Sequence, residues 1–309
     1  MEHPESTTTQ HAPPRIFEAF REPCKSTVIF LHGRGDSGHN VAPFLLFSPV
    51  TSNVPTRLTL RQVLPHTKFI FPTALKREFS SSYLSTQWFE IDSLEITDLN
   101  EERQADGLKE STEYIHQLIQ DEIDSGVPPE QIILMGQGQG CAAGIVATMR
   151  YPGRIGAFIG MSGWMPFVTQ LEDLVKTGAD AVGIVKRIED LLESGREVDE
   201  EVSKSIVETP VFVGHGINDT KVLVRCGERL QDLLKDIGFH NVKWATYKLG
   251  NWWCDEEIVD AARWLADENF EVEGLEELKN DTQGARITTA FNPLDGNSNV
   301  AHQNTIDGT

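Results

Sequence analysis

Residues 136 to 140 read Gly136-Gln137-Gly138-Gln139-Gly140, between a short apolar run, Gln131-Ile-Ile-Leu-Met135, and a stretch from Cys141 to Arg150 with small residues at helical spacing. A strand that passes through alternating glycines into a helix describes a tight strand-to-helix turn, because glycine lets neighbouring backbone approach where a Cβ would collide. This is the frame of the G-x-S-x-G nucleophile elbow, which lifts its central side chain above a parallel sheet. The centre of the frame here is Gly138, which carries no atom able to attack a carbonyl.

The remaining elements agree with such a sheet. Ser26-Thr-Val-Ile-Phe-Leu31 and Thr67-Lys-Phe-Ile-Phe71 are short apolar runs bounded by turns, as in strands buried on both faces. A helix from about Glu102 to Asp124 leads through Gly126-Val-Pro-Pro129 to the elbow strand. Strands over Ile155–Gly160, Pro210–Gly214 and Val242–Tyr247 then alternate with helices over Val222–Ile237 and Glu256–Asn269. Alternation of this kind predicts an α/β fold, a doubly wound and mostly parallel sheet with its site at the strands' C-terminal ends.

Residues 1–21 and 273–309 lack apolar periodicity and are expected to be flexible tails around a domain over 22–272. The segment of about 168–208 has no strand signal but two helix-like stretches, near Ile184–Leu192 and Val198–Ile206. It reads either as an inserted cap over the site mouth, whose deletion should leave the core folded but change ligand or partner binding, or as a helical pair on the surface.

The formal net charge is -20, a balance that repels nucleic acid and anionic membrane. Three quarters of the excess falls in two segments, Glu172–Glu208 and Asp255–Asp281, which are either solvated helix faces or a dock for a basic protein partner. No apolar leader follows Met1 and no run approaches the 18 or so apolar residues of a membrane span. A cytoplasmic protein is expected, nuclear being the other option. Cys24, Cys141, Cys226 and Cys254 lie far apart without metal-ligand spacing, so free thiols are expected, with neither metal nor cofactor.

Six blocks in order carry a specific resemblance: Phe30-Leu-His-Gly-Arg-Gly-Asp-Ser-Gly38, Gln87-Trp-Phe-Glu-Ile-Asp92, Gly136-Gln-Gly-Gln-Gly140, Met161-Ser-Gly-Trp-Met-Pro166, Gly214-His-Gly-Ile-Asn-Asp219 and Leu249-Gly-Asn-Trp-Trp253. Over about residues 26 to 270 the chain resembles the acyl-protein thioesterases and small carboxylesterases, a family of α/β-hydrolases. The resemblance implies a Ser-His-Asp triad whose acid is kept as Asp219, whose nucleophile position is Gly138 and whose base position is Asn251. A carboxamide cannot take and return a proton near neutral pH as imidazole does. The resemblance also implies an oxyanion hole from the backbone amides of Arg34 and Gln139, and substrate contacts at Trp88 and Trp164. Arg34 departs from the apolar residue common at its position, and could either receive an anion or turn outward to the acidic surface.

None of the nine histidines is placed to act as a borrowed base. His3, His11 and His302 are in the expected tails, His32 and His215 are expected to hold backbone, and His240 to face solvent. Cys141 and Cys254 are candidate substitute thiols, but with no histidine to activate them they read as core residues. The sequence thus predicts a non-hydrolytic pseudo-esterase that binds an acyl ester, a thioester or an acylated protein. The competing expectations are a weakened ester or thioester hydrolase, or a repurposed catalyst that uses the oxyanion hole.

Overall fold

The computed structural model describes residues 10–47, 49–50, 58–80, 83–250 and 252–274. Its strands in the main sheet are β1 (Arg15–Phe17), β2 (Ser26–Leu31), β3 (Thr67–Phe71), β6 (Ile132–Gln137), β7 (Ala157–Met161), β8 (Val211–Gly216) and β9 (Val242–Tyr247); β4 (Lys76–Ser80) and β5 (Tyr83–Thr86) form a separate hairpin. The sheet order is β1-β3-β2-β6-β7-β8-β9, with β1 antiparallel to β3 and every other pairing parallel. Every residue of β2, β6, β7 and β8 is buried. That is why these strands read as continuous apolar runs rather than as alternating ones.

Helices cover both faces, as the alternation of elements predicts. One face holds α1 (Gly38–Phe47), α2 (Leu60–Val63) and α9 (Asp255–Asp267), which bury Leu45, Val63, Ile258 and Leu265. The other holds α3 (Ala105–Asp124), α4 (Gln139–Arg150), α5 (Val168–Lys176), α6 (Ala181–Leu191) and α8 (Val224–Asp236), which bury Ile115, Val146, Leu171, Ile188 and Leu234. A short α7 (Glu200–Lys204) completes the segment before β8. The helix after β2 goes to one face and the helix after its neighbour β6 goes to the other. The C-terminal ends of β2 and β6, paired at Leu31 and Gly136, therefore form the topological switch point where α/β sheets place their ligands.

Two expectations need correction. Residues 10–21 are not a tail: Arg15–Phe17 pairs with Phe71–Phe69, Phe17 packs edge-on against Phe71, and His11 stacks on Tyr114 with centroids 3.7 Å apart. A three-residue strand has no readable period, and its partner lies more than fifty residues away. The segment 168–208 contains α5 as well as the two expected helices, and α6 inserts Ile184 and Ile188, both fully buried, into the main core beside α4. It is part of the core rather than a detachable cover. The expected C-terminal tail lies outside the described residues from 275 onward.

Candidate functional site

Gly138 sits between β6 and α4 at φ 56° and ψ -116°, a positive-φ turn that glycine adopts without strain and a side chain would not. Its N–H donates to Met161 O at 2.9 Å and its O accepts from Ala142 N at 3.2 Å, tying the turn to β7 and to the first turn of α4. The flanking glycines are required by close approach. A Cβ at Gly136 would collide with the Gly140 carbonyl, and one at Gly140 with the carbonyls of Leu31 and His32. Gly140→Ala should therefore cost about 3 kcal/mol, because backbone cannot yield as a side chain does. Urea denaturation of the purified variant measures this, and a loss below about 1 kcal/mol would mean that the turn relaxes. At Gly138 itself a Cβ would meet nothing nearer than Gly33 Cα at 3.9 Å, so the turn still has room for a side chain.

The loop after β2 is locked against the elbow by buried polar groups. His32 Nδ1 donates to Gly33 O at 2.7 Å and its Nε2 accepts from Ala74 N at 3.0 Å, which fixes one neutral tautomer. Burial pushes this imidazole down to about 4, so it stays neutral. Trp88 Nε1 donates to His32 O at 2.8 Å. The Gln139 side chain accepts from Trp88 N at 2.9 Å and donates to Phe89 O at 2.6 Å. The amide of Gln139 opens α4, where the first N–H groups have no intrahelical acceptor. Arg34 is half-buried and directs Nη1 to Ile91 O at 3.4 Å, within the loop that follows β5.

Asp219 follows β8. Its Oδ1 accepts from Lys221 N at 2.8 Å and Val222 N at 3.0 Å, while Oδ2, in a fully buried side chain, has no hydrogen-bond partner. Burial raises its carboxyl above the ordinary range against those two amides. The Asp219 loop lies against the approach to the base position: Asn218 N donates to Leu249 O at 3.0 Å, and a Cβ at Gly216 would collide with Gly250 O. Asn251 itself lies outside the described residues.

Among the described residues the histidines fall as their sequence positions suggest, apart from His11; His3 and His302 lie outside them. His215 Nε2 is 3.7 Å from Asp219 Oδ2, but it donates to Val222 O at 2.8 Å, and burial lowers its basicity. It holds backbone, as His32 does. His116 bonds Ala147 O from α3, and His240 is exposed beside Glu208. Cys141 is fully buried against Gly160 and Gly163, and burial pushes its thiol far up; the Cys254 thiol is pushed up to about 12. Burial thus favours the neutral thiol at both positions, as expected of core residues.

Trp88 and Trp164 have 0% and 1% of their surface exposed. Trp88 thus positions the loop through His32, and neither ring offers a surface to a ligand in this conformation. Sequence reading missed the clamp made by Gln139, His32 and Trp88, whose members are 107 positions apart in the chain at the widest and meet only through the sheet. The metal-like grouping among the described residues, His66 with Glu271 and Glu273, lies near the N-terminal end of β3, away from the elbow. Its carboxylates pair with Lys25 and Arg21.

Residues 14–187 match the phospholipase/carboxylesterase family model, more than half of the chain. The chain belongs to the phospholipase/carboxylesterase family. Within it, acyl-protein thioesterase 1 of Gibberella zeae is 30% identical over 245 residues, covering 78% of this chain and 89% of that protein. Its counterpart in Yarrowia lipolytica is 29% identical over 259 residues, with 81% and 97% covered. Among solved members, acyl-protein thioesterase 2 of Zea mays superposes with a TM-score of 0.58 at 23% identity, over 82% of this chain and 98% of that one. SOBER1 of Arabidopsis thaliana gives 0.59 at 20%, over 79% and 99%. The fold is that of the α/β-hydrolases.

Proposed function

We propose that this protein is a binding member of its family, one that holds an acyl ester, a thioester or an acylated protein at the elbow without hydrolysing it. The observation that carries this reading is Gly138: the elbow backbone is intact and clamped, yet its centre has no nucleophile. The base position is Asn251, and the described histidine beside Asp219 is engaged with Val222 O. Acyl groups are the ligand class because the relatives are thioesterases acting on acylated proteins, and the clamped amides suit a carbonyl oxygen. Purified protein should hydrolyse p-nitrophenyl esters and palmitoyl thioesters no faster than Gly138→Ala, and no serine-directed fluorophosphonate should label it. Acyl esters should nevertheless raise its melting temperature. A rate within a hundredfold of an ordinary esterase, lost in Asp219→Asn, would overturn the reading.

The retained Asp219 and the clamped oxyanion loop favour a second reading, a catalyst of a non-hydrolytic acyl reaction. Consumption of an acyl ester with no free acid formed, detected by mass spectrometry and lost in Asp219→Asn, distinguishes it from pure binding.

A further inference from the structure

Helix α9 starts at Asp255, directly after the loop that frames the base position, and seats Ile258, Ala261, Ala262 and Leu265 on the sheet. Glu257 shares that buried face. It is 0% exposed and neither carboxyl oxygen has a hydrogen-bond partner. Its Oε1 presses on Gly214 of β8, where a Cβ would collide with it. The ionisable groups around it are Asp260 on its own helix, Cys254 at the helix cap, Tyr247 at the end of β9 and Cys141 on α4. β8 adds only backbone at Gly214, and His215 beyond it bonds to Val222 O. Tyr247 donates to Asp260 Oδ2 at 3.1 Å rather than to Glu257. None of these groups is a cation, so an ionised Glu257 would be a buried charge offset only in part, by the Cys254 backbone.

We propose that Glu257 is a proton-operated latch on the site wall: as a neutral carboxyl it packs the first turn of α9 against β8 and holds Trp252–Cys254, which lead into that turn, in place, and loss of its proton releases them. Burial, reinforced by Asp260 and only partly offset by the Cys254 backbone, raises the carboxyl to about 8. A carboxyl that is weaker in the folded state than in the unfolded chain makes the native state lose stability as pH rises from its ordinary 4.5 to about 8, after which the loss levels off. The full span is about a thousandfold in the folding equilibrium constant.

Infrared spectra and rate-corrected hydrogen exchange of the full chain and of Glu257→Gln, between pH 6 and 9.5, test the latch. The unmodified chain should show a protonated-carboxyl band at pH 6, missing in Glu257→Gln, that disappears near pH 8. Protection of residues 252–258 should fall over the same interval, at least tenfold, while Glu257→Gln keeps it. Absence of the band at pH 6, or protection that stays constant while the band disappears, overturns the proposal. Should Glu257→Gln fail to fold, the unmodified chain decides alone, because band and protection must change together.

Discussion

Serine at position 138 without histidine at position 251 should give no more ester hydrolysis than the unchanged protein, and histidine without serine should do the same. Only Gly138→Ser combined with Asn251→His should hydrolyse p-nitrophenyl esters, by more than about a hundredfold over either single variant, because triad residues act as a unit. The structure supplies what the double variant needs. The turn at Gly138 has room for a Cβ, the loop after β2 is clamped by His32, Trp88 and Gln139, and Asp219 keeps an oxygen without a partner. Stability should move the other way. Glycine occupies φ 56° without strain, so serine there should cost about 1 to 3 kcal/mol, read as a lower melting temperature. If Gly138→Ser alone gives most of the activity of the double variant, another residue is already serving as base.

Breaking the ion pair between the elbow helix and α6 should cost about 3 to 5 kcal/mol. Arg150, the last residue of α4, makes two parallel bonds to Glu189, Nε to Oε1 at 3.0 Å and Nη2 to Oε2 at 2.9 Å, with both side chains almost wholly buried. Arg150 Nη1 also bonds Thr112 on α3, and Arg196 Nη1 donates to Arg150 O at 2.5 Å. Burial alone would raise the Glu189 carboxyl, but the hydrogen bonds from Arg150 and Ser194 and the charges of Arg150 and Arg196 hold it below its ordinary value. The pair therefore stabilises the fold above the ordinary carboxyl range and loses that contribution as pH falls. Glu189→Ala leaves a buried guanidinium without its partner, whereas Arg150→Met with Glu189→Leu should recover most of the loss. Urea denaturation of the three variants checks this, and a loss below about 1 kcal/mol in Glu189→Ala would show that the pair is not needed. By the same physics, deleting residues 169–205 should give unfolded or insoluble protein, since it removes Glu189 together with the buried Ile184 and Ile188.

How much was legible depended on whether the signal was local. The boundaries of β2, β3 and β9 match the reading from apolar runs residue for residue. Helices α3, α4, α6, α8 and α9 fall within a few residues of their expected ends. The antiparallel strand β1 and helix α5 went unread, the first because three residues carry no period and the second because its apolar residues follow a proline-bounded turn. Glu257 left a signal that was overlooked: it stands four and eight residues before Ala261 and Leu265, on the apolar face of its helix.

The sequence by itself determined the doubly wound sheet, the tight strand-to-helix turn at Gly138 and the family, because each rests on residue identity at short spacing within a turn, a strand or a helix. Only the tertiary structure decided that segment 168–208 belongs to the core, that Trp88 and Gln139 clamp the loop after β2, and that the carboxyl of Glu257 is buried between α9 and β8. Those facts depend on burial and on which distant groups meet across the sheet. Free energies of desolvation and pairing are set by that three-dimensional neighbourhood, which spacing along the chain does not encode.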